Sequence, residues 1–391
     1  MLLVATAREL RRLGFYGPAS PPADLLALLD LVGLATVCDV VPLEGLNRAY
    51  VTKGLQAMRQ RRNTGLRALA DAAGLAVPPT PYHLGFVLGP RINAGGRIGD
   101  AALGARLLAT DDDMEAARIA VLLDKLNRER KTIEARMLEE AVANAERLVE
   151  ADADMPLLLI AGEGWHKGVV GLVASRLTER FRRPSCVIAW EEARPGASFG
   201  TGLGTGSLRS IDGVDIGAAV RAAVDVGHLV KGGGHAMAAG LTLERGRFET
   251  LEAFLRARLV VASSAARAAV SLAIDGALTP AAVTDEFLAL IERAGPYGQG
   301  NPQPRFAFPA HRVKFAKVVG GAHVRCVLEA GDGSRLDAVA FRAADQPVGA
   351  ILQSSGGLPL HVAGHLRRDT WGGRDRRELV IEDVADPRRQ S

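Results

Sequence analysis

The residues with chemistry to offer fall in five short segments. In ATVCDVVPL (35–43) one carboxylate, Asp39, closes a β-branched apolar run. An acid at the carboxyl end of a sheet strand faces the crevice where ligands bind. Its oxygens suit a hard divalent cation; the same residue can simply cap the turn at Pro42. GPRINAGGR (89–97) sets Arg91, Asn93 and Arg97 among three glycines. Guanidinium groups fit phosphate bidentately, and bare backbone admits a strand closely. The alternative is a tight loop with solvated arginines. GEGWHKGVVGLVASRL (162–177) places His166 and Lys167 at a strand-to-helix turn. Amides at a helix start bind anions, and His166 can equally be a cap. TGSLRSIDGVD (205–215) flanks Arg209 with Ser207 and Ser210, a donor set for a terminal phosphate. VKGGGHAMAAG (230–240) runs Gly232, Gly233 and Gly234 into His235. Glycine costs backbone entropy, so the run indicates close backbone approach. His235 can donate to a phosphate oxygen, although a lone histidine is more often structural.

The elements that must position these groups read as α/β. LLALLDLVGLATVCDVVPL starts as a helix behind Pro21-Pro22 and turns into a strand over 35–41. Residues 111–150 contain no glycine or proline and open on three aspartates, which the helix dipole favours at an N-terminus. They predict one long connecting helix, with a break near Leu126–Arg130 as the alternative. MPLLLIAG and PSCVIAW alternate with helical stretches over 153–245, the pattern of an α/β unit. From Pro309 onward the short runs RVKFAKVV, HVRCVLEA, RLDAVAF, LPLHVAGHLRR and RRELVIEDV predict a small β-barrel. That barrel carries Arg325, Arg335, Arg367 and Arg368 near Trp371, either a strand-binding groove or a solvated face.

Composition bounds the partners. The 391 residues carry a net charge of +4, compatible with an anionic partner. No run of about 18 apolar residues spans a membrane. The cysteines Cys38, Cys186 and Cys326 are far apart and have no metal-ligand spacing, which fits a reducing, cytoplasmic compartment.

Taken in order, ATVCDVVPL with NRAYVTKGL, GPRINAGGRIGDA, GWHKGVVGLVASRL, GSLRSIDGVDI, GGGHAMAAGL and GPYGQGNPQPRF resemble the RecJ branch of the DHH phosphoesterase superfamily. The resemblance implies a single-stranded-DNA-specific 5′-to-3′ exonuclease using Mn²⁺ or Mg²⁺, acting on strands with a 5′ phosphate. It implies this division: a C-terminal remnant of a parallel-sheet DHH catalytic domain (1–110), a connecting helix (111–150), a DHHA1 substrate domain (151–262) and an OB-fold (270–391). It places Asp39 on a metal ligand, and Arg91, Asn93 and Arg97 on a substrate loop. It puts Ser207, Arg209 and Ser210 on the 5′-phosphate pocket, and Gly233, Gly234 and His235 on a substrate-binding motif. A RecQ-type helicase and a single-strand binding protein are the partners it suggests.

The sequence departs from that pattern at its start. Before Asp39 the acids are Glu9, Asp24 and Asp30, and the first histidine is His83. The Asp-rich motif and the Asp-His-His triplet of the superfamily are not here, so the chain reads as one lacking the N-terminal part of the DHH domain. Two-metal hydrolysis needs several oxygen ligands around paired ions, which Asp39 alone does not supply. The expectation is therefore a grip without a complete cutting centre. The alternatives are a non-catalytic single-stranded DNA-binding module and a phosphodiesterase for oligonucleotides or a cyclic dinucleotide.

Overall fold

A computed structural model describes residues 2–191, 202–269, 271–369 and 375–387. The chain divides into two compact units: Met1–Gln60 with Pro78–Gly85 and Leu272–Ser391, and Arg61–Val77 with Phe86–Ser271. Among the described residues no helix is long and apolar enough to cross a membrane.

The first unit opens with α1 (Leu2–Arg12), α2 (Leu29–Cys38) and α3 (Gly45–Met58). α1 buries none of its residues, and Leu2, Leu3, Leu13 and Phe15 are exposed. The strand expected over 35–41 is a helix end and a turn instead. Tertiary packing overrides β propensity here. Gly33 and Gly54 let α2 and α3 touch backbone to backbone: a Cβ on Gly54 would lie 2.5 Å from the Leu29 carbonyl oxygen. Thr36 turns its hydroxyl back to the Val32 carbonyl (2.7 Å), so a β-branched residue sits in the helix without an orphaned polar group.

The second unit holds α4 (Thr64–Ala72), α5 (Gly89–Ile98), α6 (Ala102–Ala109) and α7 (Asp113–Ala151). GPRINAGGR is therefore helix rather than loop; Pro90 sits in its first turn, where the missing N–H costs nothing. α7 runs unbroken through Leu126–Arg130 for 39 residues, about 58 Å. Asp112 caps it, accepting from the Met114 and Glu115 amides. Its first half buries Ala116, Ile119, Ala120 and Leu123, and its second half buries Met137, Ala141 and Ala145 under the sheet.

That sheet has the order β1-β2-β3-β5-β4, from β1 (Leu158–Glu163), β2 (Ser185–Trp190), β3 (Leu203–Arg209), β4 (Lys231–His235) and β5 (Ala238–Glu244). β1 and β2 are parallel and the rest antiparallel. One face packs on α7 and α8 (Val170–Phe181), the other on α9 (Ile216–Asp225) and α10 (Phe248–Ala268). Leu208, Ala239, Leu241 and Leu243 belong to the second core. Their strand neighbours Ser207, Arg209, Ala238 and Gly240 therefore face the α8 side, because side chains alternate along a strand.

The remainder of the first unit is a barrel. β7 (Arg305–Val319), β8 (His323–Glu329), β9 (Arg335–Ala340), β10 (Pro359–Asp369) and β11 (Arg376–Ala385) close through a β10–β7 pairing, with β6 (Gly276–Ala277) added alongside β7. α11 (Asp285–Ala294) and α12 (Pro347–Ser354) supplement it. Phe308, Val324, Cys326, Leu328 and Leu379 fill the interior. All five C-terminal strands expected from sequence are present. Within this unit the GPYGQGN segment lies on the Pro42–Arg48 stretch: the Leu43 amide donates to the Gln299 carbonyl (2.6 Å), and Arg48 donates to the carbonyls of Ala294 and Gly295.

Candidate functional site

The site grows from one row of the second unit's sheet. Arg209 on β3 pairs with Ala238 on β5, which pairs with His235 on β4. The next row on the same face is Ser207, Gly240 and Gly233. Arg209 and His235 thus stand on one face, two strand spacings or about 10 Å apart. Between them lies a floor of Ala238, Gly233 and Gly240, the last of these exposed.

The three glycines of the run have separate roles. A Cβ on Gly232 would lie 2.7 Å from Val220 Cγ1 of α9, so that glycine serves packing. Gly234 has φ +157°, and a Cβ there would lie 2.2 Å from the Ala238 carbonyl oxygen. Gly233 meets nothing within 4 Å, so it is the one of the three whose bareness faces open space. Behind the strand, Arg221 donates to the Gly234 carbonyl (3.0 Å) and the Ile216 amide to the Ala236 carbonyl (3.2 Å). These bonds fix the backbone beneath His235. Its Nδ1 accepts from the Met237 amide (3.3 Å), so the neutral ring carries its proton on Nε2 and presents a donor.

The other wall is the start of α8. The helix opens on Val169 with no capping side chain, leaving its leading amides for another acceptor. A Cβ on Gly171 would stand 3.0 Å from both Ser207 Oγ and Arg209 Nη2, so the small residue keeps these donors beside the helix start. Arg209 Nη1 donates to Ser207 Oγ (2.9 Å) and to the Leu208 carbonyl (2.8 Å). His166 accepts the Gly168 amide on Nδ1 (3.1 Å) and, like His235, offers Nε2–H. Arg97 joins from the last turn of α5: its Nη1 donates to the Gly168 carbonyl (3.2 Å).

Charge is unbalanced here. Among the described residues neither Arg97 nor Arg209 makes an ion pair. Burial holds Arg97 below the ordinary arginine range, helped by the neighbouring Arg130 charge and opposed by Glu134. Burial also lowers Arg209, and the Arg97 charge adds to it. Two partly desolvated, mutually repelling guanidiniums beside free helix amides have the chemistry to accept an anion.

The remaining sequence candidates lie elsewhere or are committed. Arg91 pairs with Asp124 (2.9 Å) and donates to the Val87 carbonyl (2.7 Å), while Asn93 is exposed on α5. Ser210 is buried, and its hydroxyl donates to the Val214 carbonyl (2.6 Å). Asp39 is the exposed C-cap of α2 in the other unit, not the end of a strand. No group of three His, Cys, Asp or Glu able to hold a metal occurs among the described residues, so Asp39 and its surroundings do not fit a metal centre by themselves. On the barrel, Arg325 and Arg367 both donate to the buried Glu378, Arg335 to Glu329 and Arg368 to Asp375. Phe341 is exposed, with the Arg367 guanidinium 4.9 Å above its ring. Trp371 lies outside the described residues. Sequence reading missed Arg130, Glu134 and Gly171. The NRERKTIE run carried the signal, an Arg and a Glu one turn apart on a long helix.

An α/β sheet domain followed by an OB-like barrel defines the class. Residues 154–260 match the DHHA1 domain and residues 274–383 the RecJ OB domain. Over most of its length the chain is similar to RecJ proteins. It is 38% identical over 350 residues to the single-stranded-DNA-specific exonuclease RecJ of Dickeya dadantii, covering 87% of this chain and 59% of that protein. The crystal structure of RecJ from Thermus thermophilus in complex with Mn²⁺ superposes with a TM-score of 0.75 at 29% identity, over 97% of this chain and 51% of that one. A Mg²⁺ complex of the same protein gives 0.73 over 97% and 54%. The chain thus spans between about half and three fifths of these relatives.

Proposed function

We propose that this chain is the strand-gripping part of a single-stranded-DNA-specific 5′-to-3′ exonuclease of the RecJ type. The observation that carries this is the pairing of Arg97 and Arg209 at the uncapped start of α8, beside the open Gly233–Gly240 floor. A terminal 5′ phosphate fits between the two guanidiniums, Ser207 and the α8 amides, and the following nucleotides run over the floor toward His235. The domain division stays as read from the sequence, with residues 1–110 as the end of a catalytic domain. Mn²⁺ or Mg²⁺ would serve hydrolysis in the whole protein. These residues do not assemble such a centre, so the chain alone binds single strands and does not cut them. A RecQ-type helicase and a single-strand binding protein fit the same reading as partners of the whole protein.

The test is paired. Purified chain is mixed with labelled 5′-phosphorylated single strands, once in EDTA for binding and once with Mn²⁺ for digestion. Binding that survives EDTA, with no metal-dependent 5′ digestion, is expected. Metal-dependent digestion by a clean preparation would overturn the division of labour. Absence of binding at low salt would overturn the grip. Stronger competition by dinucleotides than by long strands would favour a small-substrate phosphodiesterase.

A further inference from the structure

Arg130 is unusual for a surface charge on a long helix. It is 7% exposed, donates to Glu134 (2.5 Å) and Asn127 (3.2 Å), and leaves its Nε buried with no partner. A buried unpaired donor is costly, and replacing a whole buried ion pair such as Arg130–Glu134 by apolar residues is often neutral or stabilising. The pair is therefore weak evidence for a role in stability alone.

What lies opposite is α5. A Cβ on Gly95 would stand 3.4 Å from Leu123 Cδ2, and one on Gly99 would stand 2.9 Å from Leu126 Cδ1. Ile98 shares a core cluster with Ile133. Arg97 thus faces the stretch of α7 that carries Arg130 and Glu134. Glu134 is the carboxylate of that stretch turned toward the cluster; its other cationic neighbour is Arg176, 3.8 Å away and already paired with Glu179.

We propose that Arg130 is a positioning residue for the phosphate pocket: by holding Glu134 it keeps that carboxylate off Arg97, so that Arg97 stays free for a terminal phosphate. The inference rests on the 5′-phosphate reading above. With Arg130 removed, half-buried Glu134 keeps only the 3.8 Å contact to Arg176, which Glu179 shares, and Arg97, which makes no ion pair among the described residues, is the cation it would turn to. An Arg97–Glu134 pair would close the pocket from inside.

Four proteins test it: the natural chain, Arg130→Met, Glu134→Gln and the double variant. Each is titrated in EDTA against short oligothymidylates with a 5′ phosphate or a 5′ hydroxyl, and the ratio of the two Kd values is read. Thermal melts check folding. Arg130→Met is expected to cut the preference for 5′ phosphate by about tenfold, the scale of one charge-assisted hydrogen bond. The double variant should recover it to within about threefold, because the competing carboxylate is gone. Glu134→Gln alone should keep or raise it. An unchanged ratio in Arg130→Met, or no recovery in the double variant, overturns the inference while leaving the pocket intact. A natural chain with no preference overturns the 5′-phosphate reading and the inference with it. If Arg130→Met does not fold, Arg130→Lys with and without Glu134→Gln carries the same comparison, the lysine giving a partial loss that glutamine restores.

Discussion

Arg209 and His235 stand in the same cross-strand row, on the sheet face that α8 leaves open, with Ala238 between them. Their backbones are fixed independently, Arg209 by pairing within the sheet and His235 by the start of α9. The two donors are therefore held at a set spacing by strand geometry rather than by each other. On the proposed reading, a chain of phosphates meets both points without either side chain having to move first.

The two ends of this row should separate by mutation. Arg209→Ala removes one guanidinium of the proposed terminal-phosphate pocket. It should weaken binding of 5′-phosphorylated strands by about tenfold or more and leave 5′-hydroxyl strands nearly unchanged. His235→Ala should weaken both substrates alike, by about threefold to tenfold. Fluorescence anisotropy in EDTA distinguishes the two patterns; a 5′-selective loss for His235→Ala would place it in the wrong half of the site.

Adjacent glycines should behave oppositely. Gly234→Ala puts a methyl 2.2 Å from the Ala238 carbonyl oxygen in a strained backbone region, so it should lower stability by roughly 1–3 kcal/mol. Gly233→Ala has free space and should leave the melting temperature within error while weakening strand binding. Thermal denaturation and anisotropy on the same preparations read both effects.

Binding should be salt-dependent in proportion to the few cations that reach the strand. With about three phosphate contacts, the slope of log K against log salt should be near −2. A flat salt response would mean that stacking rather than the arginine pair dominates.

The buried thiol of the barrel gives a pH prediction. Burial, then the Asp337 and Glu378 charges, push Cys326 up to about 12. Its unfolded value is about 8.5. The folded state holds the proton more tightly, so this contribution to stability is complete below about pH 8.5 and is lost as pH rises toward 12. Denaturant midpoints should fall along that limb, and Cys326→Val should flatten the part belonging to the barrel.

Legibility in the sequence followed locality. The barrel strands and the long helix were readable because alternation and helix propensity are local signals, and Asp112 announces the helix start. The strand expected at 35–41 failed because Gly33 and Gly54 create a helix pair that outweighs Thr36, Val37 and Val41. Arg97 and Arg209 were legible as candidates for phosphate by type, but not as neighbours, since their proximity depends on Gly168 and Gly171 admitting α5 and β3 to one helix start. Ser210 looked equivalent to Ser207, yet strand alternation turns it to the buried turn at Val214. Arg130 was invisible for a different reason: its meaning lies in the carboxylate it withholds, which no spacing rule encodes.

The most direct test of the grip is a crystal structure of this chain with a 5′-phosphorylated trinucleotide in the absence of metal. The terminal phosphate is expected within hydrogen-bond reach of Arg97, Arg209 and the first amides of α8, with the next nucleotide over Gly233 and Gly240. A phosphate seated on the barrel arginines, with the α8 start left empty, would contradict it.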